Sequence, residues 1–64
     1  MTNFNFWEVT FINCEGDKKW SIAMCPEDWT ELEINGRLLE NSEVSKVISV
    51  ELTCNEEFGW DFTN

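Results

Sequence analysis

Three cysteines, thirteen carboxylates, four basic residues and no histidine are the reactive inventory of this 64-residue chain. A zinc site would need closely spaced Cys or His ligands, and Cys14, Cys25 and Cys54 are far apart in the sequence. A calcium loop would need several oxygen ligands arranged around a glycine turn, and Glu15-Gly16-Asp17 is too short for one. Nucleophilic catalysis lacks its usual base, because there is no histidine. Among thirteen acids some carboxylate pairs must lie close by chance, which weakens an acid–base reading. Glu8, flanked by Phe6 and Trp7, is the carboxylate with a claim to an apolar pocket. It falls on the second face of its strand, where a solvated or interface role is expected. Three glycines are too few for a phosphate-cradling loop. The expectation is a protein that is not an enzyme and carries no metal or cofactor.

What remains is recognition. The net charge is −9 and aromatic residues make up 14% of the chain, four of them tryptophan and five phenylalanine. Such a surface repels anions and attracts basic partners. Direct nucleic-acid binding is disfavoured, because phosphate contacts need Lys and Arg and Lys18, Lys19, Arg37 and Lys46 are scattered. The acids gather at Glu27, Asp28, Glu31 and Glu33, and again at Glu56, Glu57 and Asp61. These are the candidate partner-binding carboxylates. The segment 56–62 interleaves acids with Phe58, Trp60 and Phe62, which combines electrostatic steering with hot-spot residue types. Phe4 and Phe6 complete the aromatic candidates for a partner or oligomer surface.

The elements that must position these groups follow from alternation. Residues 4 to 13 read as a strand with Trp7, Val9 and Phe11 on one face and Phe4, Phe6, Glu8, Thr10 and Ile12 on the other. Cys14 to Lys18 supplies a turn, and Lys19 to Cys25 reads as a second strand with Trp20, Ile22 and Met24 on one face. A two-residue loop at Glu15-Gly16 or at Gly16-Asp17 would unite the two apolar rows on one side of the hairpin. A three-residue loop that slips the pairing by one would not. Pro26-Glu27-Asp28 has the signature of a helix start. Trp29, Leu32, Gly36 and Leu39 then fall at helical spacing, which gives a short helix over about 26–34 closed by Asn35-Gly36 as a C-cap. Asn-Gly between apolar residues is also a hairpin signal, so residues 31–40 stay open between helix and hairpin. Lys46 to Thr53 reads as a strand with Ile48, Val50 and Leu52 on one side. Phe58, Trp60 and Phe62 share a face if that segment is a final edge strand. The fold class is α+β in a single domain over residues 1–64: a small antiparallel sheet of three to four strands with one short helix, ββαβ(β).

Sixty-four residues bury only about 60% of the surface the unfolded chain exposes. The stability expected of such a domain is about 3–10 kcal/mol. Oligomerisation is a common remedy at this size, and an apolar second face on the first strand suggests a homo-oligomer. Met1-Thr2-Asn3-Phe4 lacks the basic region and apolar run of a signal peptide, no stretch is long enough to span a membrane, and an odd cysteine count suits reduced thiols. A cytoplasmic location is expected, in the host cell if the protein is phage-encoded. In size, charge and aromatic content the chain resembles small acidic inhibitors encoded by phages, among them nucleic-acid mimics. That resemblance implies a non-enzymatic anti-defence protein that binds a basic surface of a host defence or nucleic-acid-processing protein. A small homo-oligomeric structural or accessory subunit is the alternative. A ligand-sequestering protein with an aromatic pocket between subunits is a third.

Overall fold

The computed structural model describes residues 3–63. The element order is β1 (Phe4–Asn13), β2 (Lys18–Pro26), α1 (Glu31–Leu39), β3 (Val44–Thr53) and β4 (Trp60–Asp61). The four strands form one mixed sheet in the order β3-β1-β2-β4. β1 is antiparallel to both β2 and β3, and the short β4 joins β2 in parallel. This is the ββαβ(β) α+β fold expected from the sequence, with a parallel last pair.

The first hairpin differs from both expected registers. Ile12 faces Lys18, Phe11 faces Lys19, Val9 faces Ser21 and Trp7 faces Ala23. The loop is the three-residue one, Cys14-Glu15-Gly16, closed by Asn13 N–H donating to the Asp17 carbonyl at 2.9 Å. The Asn13 side chain dictates this turn. Its Oδ1 accepts from the amides of Glu15 (2.9 Å) and Asp17 (2.8 Å), while Gly16 takes φ +86, where a side chain would be strained. The slip sends Trp20, Ile22 and Met24 to the face opposite Trp7, Val9 and Phe11. Small residues, Ser21, Ala23 and Cys25, take their place on the helix face. There they leave room for α1 over the bulky β1 row.

The helix begins five residues later than expected, and it is a helix, which excludes the hairpin reading of 31–40. Pro26 ends β2. Thr30 is the N-cap, its Oγ1 accepting from Glu33 N at 3.3 Å, and Asn35-Gly36 lies mid-helix and is no cap. The buried stripe is Ile34 and Leu38 rather than Leu32 and Leu39, which are 81% and 50% exposed. The core packs Trp7, Val9, Ala23, Cys25, Ile34 and Leu38 together, with Trp29, Val47, Val50, Trp60 and Phe62 at its margin. In β3 a register shift against Thr10/Phe11 breaks strict alternation, so Val47 and Val50 both meet the core while Ile48 is left 47% exposed.

Among the described residues no helix lies on the other face of the sheet. Its rows run Lys18-Ile12-Lys46, Trp20-Thr10-Ser49, Ile22-Glu8-Glu51 and Met24-Phe6-Thr53 across β2, β1 and β3. The Cys54–Gly59 connection reaches from β3 to β4, and Phe58 lies 6.1 Å from the Phe6 ring, so this connection covers the Phe6 end of that face.

Candidate partner-binding surface

The direction of the chain brings the two acidic segments together. β2 ends, β3 ends and β1 begins at the same edge of the sheet, since Phe4 faces Pro26 and Phe6 faces Thr53. Glu27 and Asp28 follow β2 directly, and Glu27 N–H donates to the Asn3 carbonyl at 3.2 Å. Glu31 does not join them: at the start of α1 it lies beside Val47, Ile48 and Val50 in the middle of β3. Glu56 and Glu57 follow β3, held by Asn55, whose Oδ1 accepts from Glu57 N at 2.9 Å. Asp61 sits opposite Met24, next to the Phe6 row. Glu27, Asp28, Glu56, Glu57 and Asp61 thus share one end of the molecule, and all five are exposed.

The basic residues lie elsewhere. Lys18 and Lys46 both stand opposite Ile12, and Lys19 stands opposite Phe11, at the far end of the strands. Ten strand residues span about 33 Å, in line with the 39 Å long axis. That is several screening lengths at physiological salt, where the Debye length is about 8 Å. Arg37 is the remaining cation. It is held on the helix by Glu33 at 3.5 Å and Glu40 at 3.9 Å, and its guanidinium lies 5.3 Å from the Trp29 ring centre. Glu33 therefore differs from its neighbours: its charge is partly balanced by Arg37 on the helix surface. Asp61 accepts from both the amide and the hydroxyl of Thr63. These bonds, the hydroxyl foremost, hold its carboxyl below the usual carboxylate range.

The aromatic candidates divide. Phe58, Trp60 and Phe62 do not share a face. Gly59 N–H donates to the Ile22 carbonyl at 2.9 Å as the chain passes the edge of β2. Phe58 stays on the open side with Phe6, while Trp60 packs 5.2 Å from Phe11 and Phe62 packs 5.6 Å from Trp29. Trp60 and Phe62 are half-buried parts of the core margin, so their first duty is stability. Phe4 and Phe58 remain 40% and 44% exposed beside the acidic end, and Phe6 is half-buried between them.

Two surface features were not legible as site residues. Trp20 is 64% exposed on the open face. Glu8 and Glu51 stand directly opposite each other there, an arrangement that destabilises unless something balances it. Both depend on register, which alternation alone did not settle. Two hollows of about 430 and 400 Å³ are shallow and solvent-open, the first at the far end beside Trp20 and Lys19, the second between Leu32 and Ile48. Among the described residues no group of three Cys, Asp or Glu side chains is placed to hold a metal ion. Among them also, no helix is long and apolar enough to cross a membrane. The chain shows no significant similarity to any protein-family model, to any curated protein or to any solved structure.

Proposed function

We propose that the protein is a non-enzymatic interaction protein whose acidic end occupies a basic surface on another protein, of the kind that normally holds nucleic acid. The observation that supports this is the segregation of charge. Five exposed carboxylates from three separate segments converge on one end with no basic residue among them, whereas at the other end Lys18, Lys19 and Lys46 are interspersed with Glu15, Asp17 and Glu43. A solubilising surface would need no such polarity, because interspersed charge serves that purpose. A polarised one orients the molecule in the field of a basic partner and speeds encounter. Phe4 and Phe58 beside the carboxylates supply apolar area once contact is made. In a phage setting the target would be a host defence or nucleic-acid-processing enzyme, inhibited by competition with its substrate.

The test is capture from bacterial lysate on the immobilised protein, followed by displacement with duplex DNA. The expected result is a nucleic-acid-binding protein that DNA and high salt both release. A variant carrying Glu27→Gln, Asp28→Asn, Glu56→Gln and Glu57→Gln should retain its fold and lose at least tenfold in association rate at low salt. Capture that ignores both DNA and these substitutions would overturn the reading.

A further inference from the structure

We infer that the open sheet face is a self-association surface, on which a second copy of this chain stacks antiparallel about the Trp20-Thr10-Ser49 row. The face carries three successive rows: Lys18-Ile12-Lys46, then Trp20-Thr10-Ser49, then Ile22-Glu8-Glu51. Two lysines lie on one side of the Trp20 row and two glutamates on the other. A two-fold axis through that row and perpendicular to the strands keeps the lateral order β3-β1-β2 and exchanges the outer rows. Lys46 of each copy then meets Glu51 of the other, and Ile12 lies beside Glu8, with Lys18 on its flank. The middle row meets itself, Trp20 near Trp20 and Thr10 near Thr10. An isologous interface has to be self-complementary in this way.

Three further observations select this occupant. Glu8 and Glu51 are directly opposed like charges, and among the described residues neither has an ion-pair partner. Lys46 is four β1 positions from Glu8, about 13 Å away along the strands, too far to balance them within one chain but correctly offset to do so across the axis. Trp20, 64% exposed, lies on the axis at the β2 end of the middle row, where it would meet its own counterpart. The Cys54–Gly59 connection raises a step over the Phe6 row, and Ile22 beside it is already enclosed, so contact at the Glu8 row falls to Glu8 and Glu51. Antiparallel stacking also points the two acidic ends in opposite directions, so the net charge of −9 on each copy opposes association least in this arrangement. The face is smaller than a standard interface, which buries about 800 Å² per partner. The association is accordingly weak, with a Kd on the order of tens to hundreds of micromolar.

Sedimentation equilibrium from about 10 µM to 1 mM at low salt tests the inference, with each variant's fold checked by circular dichroism. Wild type should pass from monomer toward dimer. Lys46→Glu and Glu51→Lys should each weaken the dimer about tenfold or more, and the doubly substituted protein should recover most of the loss, because the exchanged pair still meets across the axis. Trp20→Ser should abolish the dimer. A second measurement needs no variant: on dilution of the wild type, the Trp20 indole and the Thr10 and Ser49 amides should show the largest NMR shift changes. A monomer at 1 mM, a dimer insensitive to these substitutions, singles without rescue in the folded double variant, or dilution shifts centred elsewhere would each overturn it. Binding of basic partners at the acidic end is read separately, so a strict monomer that is still captured and released by DNA refutes the stack alone.

Discussion

The two faces of the sheet are built from the same alternating strands and meet opposite fates. On one side Val9, Ala23, Cys25, Ile34 and Leu38 are fully enclosed. On the other, Trp20 is 64% and Phe4 40% exposed, and only Ile22 is buried. The chain has one helix and one crossing loop to cover two apolar surfaces. The helix covers the middle of one face, over large side chains from β1 and small ones from β2, and Trp29, Trp60 and Phe62 close its margin. The loop covers part of the other. Apolar content by itself does not say which face becomes core; the supply of covering elements does.

That contrast can be broken or sharpened by substitution, and the largest effect belongs to the covered face. Leu38→Ala should destabilise the dilute protein by about 3 kcal/mol, as buried leucine truncations do. Trp20→Ala should change it by less than about 0.5 kcal/mol, as exposed substitutions do. Denaturant midpoints at micromolar concentration would check both. If Trp20→Ala costs as much as Leu38→Ala, the open face is not open.

The same comparison runs within the C-terminal segment. Trp60 packs on Phe11 and Phe62 at the core margin, and Phe58 meets Phe6 on the open side. Trp60→Ala should cost about 2 kcal/mol or more, and Phe58→Ala less than half of that. Thermal melts of the two variants side by side would show the ordering, and its reversal would place the segment wrongly.

The cysteines sample the enclosed core and the exposed surface. Cys25 is enclosed, and its burial pushes the thiol up to about 11. Cys14 and Cys54 are exposed. Under native conditions a thiol reagent should modify two groups promptly and the third only as fast as the protein opens. The folded state holds the Cys25 proton more tightly than the unfolded chain does. Its contribution is therefore complete below the unfolded thiol value near 9 and is lost as pH rises through about 11. A melting temperature that falls across that alkaline window in wild type, and falls less in Cys25→Ala, is the expected outcome.

A more modest destabilisation is expected at the cap of the covering helix. Thr30→Ala removes the acceptor for Glu33 N and should cost about 1 kcal/mol, while Thr30→Asn should be nearly neutral. Equilibrium unfolding of the three proteins would resolve the difference.

Much of the architecture was legible in the sequence, and the misreadings have particular causes. Alternation in 4–13 and 46–53 gave the long strands and the correct division of β1 into two faces, because a period of two sustained over many residues fits an extended chain and no helix. Matching apolar rows gives the wrong hairpin register, because Asn13 and Gly16 set the turn and small residues suit the helix face. The helix boundary failed because Pro26-Glu27-Asp28 carries the residue types of a helix start but ends a strand, with the cap at Thr30. The shared face expected of Phe58, Trp60 and Phe62 failed at Gly59, where the chain switches sides at the edge of β2. The acidic candidates were legible as residues. The convergence of five of them on one end was not, since it follows from which strand ends lie together.

The two amide bonds accepted by Asn13 reach further than the turn they close. One residue of slippage in β2 would carry Trp20, Ile22 and Met24 under the helix and bring out Ala23 and Cys25, giving a second sheet with the same strands and a different inside. The alternation of the two strands alone does not choose between these insides; the turn does, and the Asn13 side chain with Gly16 is what defines it.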